Sequence, residues 1–122
     1  MAVGLPVMIN IDSVGDITDL TRAFHGTTGA VVLAGVDRET LAEAVAALRV
    51  FPNWYLETSQ LLAPGCLRLA VDCVGADRVL FGTGAPARPI ASGLHTVRFA
   101  GLQQSTVAQI LGANSRRLLG LT

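Results

Sequence analysis

The sequence has few of the residues that most often carry chemistry or bind charged partners. Among its 122 residues are two histidines and two cysteines; aromatic residues make up 5% and charged residues 15%. Nine basic and nine acidic side chains leave no formal net charge. Because phosphate backbones and anionic lipids attract proteins with a basic excess, this balance argues against nucleic-acid and membrane-surface binding.

Long apolar runs are also lacking. Glycine, proline or charge interrupts every apolar stretch before it reaches the roughly 18 residues that a membrane span needs. The start, MAVGLPVMINID, lacks the basic residues of a signal peptide. We therefore expect a cytoplasmic protein in which Cys66 and Cys73 are reduced. If both lie on one helix, they are about 10 Å apart, too far for a disulfide.

Apolar residues are abundant, at 51% of the chain. At this length they are enough for one compact domain over residues 1–122. So few charges cannot cover its outside, and some apolar surface should stay exposed or meet another chain. The composition therefore favours oligomerisation.

Apolar segments typical of strands alternate with segments of helical period. Strands are predicted at residues 5–11, 29–36, 53–59 and 78–84. Helices are predicted from residue 16, over residues 38–50, from Pro64 as first helical position, and after Ser105 as N-cap. The insert ARPIASGLHTVRFAG predicts one short extra helix. This order predicts an α/β fold of four βα units with parallel strands and right-handed crossovers.

Several segments resemble a known family. The matching pieces are FPNWYLETS, AVDCVGADRVLFGTGAP and VAQILGANSRRLLGL, with GLPVMIN and GAVVLAGVD upstream. They resemble strands five to eight and the closing helix of the amidohydrolase-related proteins, which are metal-dependent TIM-barrel hydrolases and decarboxylases. Since a complete barrel has eight βα units over about 250 residues, the resemblance implies a half TIM barrel or a fragment of a larger protein.

The family's ligand positions are substituted. The resemblance places Asn10 where strand five usually ends in a metal-binding histidine, Gly35 where strand six carries another, and Gly84 where strand eight usually ends in an aspartate. A catalytic zinc needs about three converging protein ligands. The resemblance thus implies the fold of the family without its metal, and we expect no cofactor.

Other polar residues lie at predicted strand ends, where ligands bind in such folds. Candidate catalytic residues are Asp12, Asp37, Glu57 and His95; candidate substrate-binding residues are Asn10, Ser59 and Thr83. Each has a structural alternative: Asp37 as a helix N-cap, Glu57 as a salt-bridge partner, and His95 as a surface residue of the rim. His25 is expected to cap a helix C-terminus.

A half barrel is expected to leave two unpaired sheet edges and an apolar concave face. We therefore expect a homodimer or a complex with a complementary barrel-half subunit. Three functions remain open. The chain is a structural or small-molecule-binding subunit without metal-dependent hydrolase activity of its own, or a truncated remnant. Alternatively, it is an enzyme of the amidohydrolase type that uses polar residues of the rim and is active only as an oligomer or with a partner subunit.

Overall fold

The computed structural model describes residues 4–121, and it confirms the predicted alternation. In chain order the elements are β1 (Val7–Asn10), α1 (Asp16–Ala23), β2 (Val31–Ala34), α2 (Leu41–Val50), β3 (Trp54–Glu57), α3 (Cys66–Val74), a 3-10 turn (Ala76–Arg78), β4 (Val79–Leu80) and α4 (Ile90–Arg98). The chain then continues through α5 (Gln104–Ala108), a π-helical turn (Gln109–Ala113) and α6 (Asn114–Leu118). The extra helix predicted in the insert is α4.

The four strands form one parallel sheet in the order β1-β2-β3-β4. Side chains of one face, including Val31, Leu33 and Leu56, are buried with residues of the helices in a single core. The register places Met8, Val32 and Tyr55 side by side on the other face. Consecutive strands that are neighbours, joined by right-handed crossovers, place their helices on the same side of the sheet.

Three of the six aromatic residues gather at one place in the core. Trp54 stacks on Phe51 at 4.3 Å between ring centroids and meets Phe24 edge-on at 6.1 Å. The Arg78 guanidinium donates to the carbonyl oxygens of Phe51 and Trp54, at 2.7 and 2.8 Å. Burial lowers the pKa of Arg78, but the carbonyl oxygens around it satisfy the charged group.

Three predicted helix starts are wrong, each because of a local backbone conformation. α2 begins at Leu41, after a turn that Asp37 stabilises, and not at residue 38. α3 begins after Gly65, whose φ of 82° is left-handed, so Pro64 lies outside the helix. The last helical region begins at Gln104, because the carbonyl of Gln103 already accepts the amide of Val107, and Ser105 is not its N-cap.

The sheet has one open edge, not the two that were expected. At β4 the outward amide of Phe81 donates to the carbonyl of Ile110, and the Asn114 side chain donates to the carbonyl of Val79. The helical region that follows α4 therefore closes this edge. Within residues 4–121, nothing pairs with the outer edge of β1.

The last helix also reaches the sheet face opposite the core. Ser115, Leu118 and Leu119 line an apolar pocket of about 210 Å³ together with Pro6, Met8, Val32 and Leu80. As predicted, Cys66 and Cys73 lie on one helix, α3. Over residues 4–121, every helix is too short or too polar to cross a bilayer.

Candidate functional site

Polar residues and glycines lie at the carboxyl ends of the strands. Asn10 ends β1, Gly35 follows β2, Glu57 ends β3, and the segment Gly82, Thr83, Gly84 follows β4. Because the strands are parallel, their carboxyl ends all lie at the same end of the sheet, which is where ligands bind in barrels and open α/β sheets. We call these strand ends, with the residues just beyond them, the rim.

At the β1–β2 end of the rim lie Asn10 and Gly35, which the resemblance matches to ligand positions of the family. The Asn10 amide donates to the Asp12 carboxylate at 2.6 Å. A Cβ atom on Gly35 would lie 2.8 Å from the Asn10 amide oxygen. Gly35 also has a φ of 79°, which side-chain-bearing residues rarely adopt. A histidine at position 35 would therefore require both a strained backbone and a displaced Asn10.

At the β3–β4 end, a carboxylate is buried without a cation. Glu57 is 6% exposed and accepts hydrogen bonds from the amide and the hydroxyl of Ser59, both at 2.8 Å. Its carboxylate fills the space that a side chain on Gly82 would take. Over residues 4–121 the ion pairs join Arg22 to Asp19 and Arg68 to Asp72. The alternative of Glu57 as a salt-bridge partner is therefore wrong.

Arg88 lies beside Gly84, the position that the resemblance matches to the family's aspartate. A Cβ atom on Gly84 would lie 3.4 Å from Cδ of Arg88 and 3.8 Å from Cβ of Ser59. The Arg88 guanidinium donates to the amide oxygen of Gln60 at 2.9 Å. A cation that the sequence motifs did not indicate thus lies beside Gly84 and Gln60, next to the Glu57–Ser59 pair. Its one sequence signal is an arginine four residues after GTG.

The remaining candidates lie apart from this group or serve the backbone. Asp37 accepts the amides of Glu39 and Thr40; desolvation opposes ionisation, but these hydrogen bonds outweigh it and lower the pKa of Asp37. The Thr83 hydroxyl accepts the amide of Ala85. His95 is exposed on α4 and its ring contacts Phe99, facing the groove against residues 61–65 instead of the strand ends.

His25 follows α1 and lines a separate groove of about 580 Å³ between α1 and α2. This groove lies on the helical side of the sheet. The structure therefore brings together Ser59, Glu57, Gln60 and Arg88, and separately Asn10 and Asp12, whereas it leaves His25, Asp37 and His95 outside these two groups.

The residues present do not fit a catalytic metal. Within the described part of the chain, no three or more histidine, cysteine, aspartate or glutamate side chains converge. Gly35 and Gly84 both have left-handed backbone, with φ of 79° and 72°, a conformation that a residue with a ligating side chain would rarely adopt. The carboxylates at the rim are instead bound by Ser59 and Asn10.

The comparison with protein families decides the relationship. A sequence model of the amidohydrolases matches residues 23–121. The chain belongs to the amidohydrolase family. This confirms the family that the sequence motifs indicated. No sequence of a curated protein matches the chain.

Solved structures of this amidohydrolase fold show how much of a barrel is present. A TIM-barrel protein of Bordetella bronchiseptica has a TM-score of 0.74 at 23% identity, over 96% of this chain and 46% of its own. 5-Carboxyvanillate decarboxylase from Sphingomonas paucimobilis has a TM-score of 0.65 at 16% identity, over 98% of this chain and 50% of its own.

An amidohydrolase from Burkholderia multivorans with bound zinc has a TM-score of 0.70 at 18% identity, over 94% of this chain and 53% of its own. The chain thus spans about half the length of the structures it matches. At these identities the likeness shows the fold alone. That fold is the predicted half barrel of four parallel βα units.

Proposed function

We propose that this chain is an assembling half-barrel subunit that binds a small carboxylate at its rim and has no metal-dependent hydrolase activity of its own. The position of Arg88 carries the proposal. Its guanidinium has five N–H donors, of which one is bonded to the neutral Gln60. Among the described residues it forms no ion pair. A planar guanidinium binds a carboxylate with two parallel hydrogen bonds.

The surroundings of Arg88 support a small ligand. Gly84 is exposed, and its Cβ position lies 3.4 Å from Cδ of Arg88, so a ligand bound over this glycine would lie beside the arginine. Glu57 is already satisfied by Ser59, so it does not compete for the arginine. Among the structures of similar fold, one decarboxylase acts on 5-carboxyvanillate. Aromatic acids are therefore the first class to test.

The proposal that the chain is an assembling subunit rests on its length, compared with that of complete barrels. Matched barrels are twice as long as the chain. Half a barrel leaves unpaired strand edge and apolar sheet face in water. We propose that a second copy or a complementary barrel-half subunit covers them.

Titration followed by ¹⁵N–¹H NMR tests the ligand site. With 5-carboxyvanillate and with benzoate, we expect saturable shifts at residues 57–60 and 82–88. Arg88→Gln should weaken binding about tenfold, about 1.4 kcal/mol. Arg98→Gln is the matched control, since Arg98 is exposed at the end of α4. Equal binding by both variants, or shifts spread over the whole surface, would refute the carboxylate site.

A second function is favoured by the Glu57–Ser59 pair. A hydroxyl that donates to a buried carboxylate at 2.8 Å has the arrangement of a nucleophile beside a base. In this alternative the chain is an enzyme that a partner completes. Turnover of 4-nitrophenyl acetate by the assembled protein should then disappear in Ser59→Ala and persist in Ser92→Ala, a serine exposed on α4. Turnover that survives Ser59→Ala excludes this role.

A further inference from the structure

The two edges of the sheet differ in how their backbone groups are bonded. At β4 the outward-facing groups are used within the chain. The Val79 amide donates to the carbonyl of Ala76, the Val79 carbonyl accepts from Asn114 at 2.8 Å, and the Phe81 amide donates to Ile110 at 3.1 Å. A strand from another chain pairs here only if these bonds break.

At β1 the outward-facing groups are free. The amides of Val7 and Ile11 donate to β2, at 2.9 and 2.7 Å. Since backbone groups alternate sides along a strand, Met8 and Asn10 direct their amides and carbonyls away from the sheet. Among residues 4–121, no hydrogen bond reaches these backbone groups.

The same edge exposes apolar side chains. Leu5, Val7 and Met8 are 67%, 49% and 65% exposed. Strand β1, with the sequence VMIN, carries no charge. Natural edge strands are usually protected by charge, bulges or a covering element. Met8 also lines the apolar pocket with Leu118 and Leu119.

We propose that a second copy of this chain docks on β1, with the two β1 strands antiparallel about a two-fold axis at Ile9. This rests on the proposed function only in taking the chain as an assembling subunit. In such a two-fold dimer each copy contributes the same surface, which here is its open β1 edge. Closure of two copies into one eight-stranded barrel would instead pair each β1 with the partner's β4, whose edge is already bonded.

The register follows from which groups are free. With Ile9 opposite the partner's Ile9, Met8 lies opposite the partner's Asn10, and the two pairs exchange about four hydrogen bonds. Beyond them, Pro6 has no N–H. The amide of Asp12 already donates to the Asp16 carboxylate at 3.0 Å. Reciprocal pairing therefore ends at these two residues, and the register at Ile9 is the one in which every bonded residue both donates and accepts.

Disulfide formation tests this register. In a Cys66→Ala/Cys73→Ala background, Ile9→Cys places two thiols on residues whose Cα atoms are about 4.5 Å apart across the axis, within disulfide range. Val7→Cys is the matched control on the same strand and face, with its two copies more than about 13 Å apart. We expect mild oxidation to give a covalent dimer with Ile9→Cys and not with Val7→Cys.

Native mass by light scattering tests the edge itself. We expect the unaltered protein to be a dimer and Met8→Pro to be a folded monomer, because proline removes an amide that β2 does not use. If Met8→Pro does not fold, the cysteine pair decides. If Met8→Pro is still a dimer, or if both cysteine variants crosslink equally, the two copies do not pair through β1 as proposed. Assembly itself would not be refuted by either result. A monomeric unaltered protein overturns the second copy as partner, and the carboxylate titration then still reports on the ligand site.

Discussion

Among single residues, Gly82 determines what lies at the β3–β4 end of the rim. Its backbone φ is not left-handed, so the backbone conformation at this position does not itself require glycine. The space beside it, however, is filled by the Glu57 carboxylate, which is held there by Ser59. Glycine is therefore required at position 82 because the Glu57 side chain takes up the space beside it, and not because the backbone turns there.

Gly82→Ala should destabilise the fold by about 1–3 kcal/mol, because the methyl group expels a buried carboxylate from its hydrogen bonds. Urea unfolding measures it. Gly112→Ala is the control, since nothing lies within 4 Å of its Cβ position. The double variant Gly82→Ala/Glu57→Ala should lose less free energy of unfolding than the two single variants lose together. Additive costs would show that Glu57 and Gly82 do not share this space.

Between elements, Glu43 joins α2 to the start of α1. Its carboxylate accepts the amide of Gly15 at 2.8 Å, and the amide and hydroxyl of Thr18 at 2.9 and 3.0 Å. The hydrogen bond from Gly15 is the main cause of a lowered pKa, and burial opposes it. α1 has no side-chain cap of its own, so a residue of the next helix satisfies its first amides.

Glu43→Gln should therefore lower the free energy of unfolding by about 1–2 kcal/mol at pH 7. A folded pKa below the unfolded value gives stability that is present above the unfolded pKa and is lost as the pH falls through the folded one. The difference from the unaltered protein should shrink as pH falls below 4.5, the ordinary glutamate value. Glu39→Gln, also close to the start of α2, should change stability little at any pH. A cost for Glu43→Gln that is independent of pH would argue against the charged cap.

Asn114 has a similar role for β4. It is fully buried, and its side-chain amide donates to the carbonyls of Ala76 and Val79 at 2.6 and 2.8 Å. Asn114→Ala should cost about 2–3 kcal/mol by leaving two carbonyls unsatisfied. It should also speed hydrogen exchange at the Phe81 amide, because the closing helix loosens. Gln104→Ala, an exposed change in α5, is the control; unchanged exchange at Phe81 would separate Asn114 from the closure of this edge.

The elements themselves were predictable and their ends were not. Apolar segments alternating with helical periods identify the four βα units, since that pattern reflects which side chains the sheet and helices bury. The start of α3 depends on one left-handed glycine, Gly65. Closure of the β4 edge depends on Asn114 and Ile110, which lie far along the chain from β4. Local sequence carries no signal of such distant hydrogen bonds.

For the whole molecule, the motifs indicated both the half barrel and the substituted ligand positions, because strand ends in this family have short, ordered signatures. They did not indicate Arg88, whose side chain lies beside Gly84. They also suggested two open edges, whereas the chain closes one with its own last helices. Tertiary contacts between distant residues therefore determine which edge of this sheet is closed.

Zinc response tests whether the half barrel on its own retains the metal chemistry of its family. A ligand present at 100 times its Kd stabilises a protein by about 2.7 kcal/mol, which for a domain of this size raises Tm by several degrees. The rim has Asn10 and two left-handed glycines at the positions that the resemblance matches to ligands, and its carboxylates are bonded within the chain. We therefore expect the same Tm in zinc chloride and in EDTA. A saturable rise in Tm with zinc, abolished by Asp12→Asn but not by Asp19→Asn on exposed α1, would instead place a metal site at the β1 end of the rim.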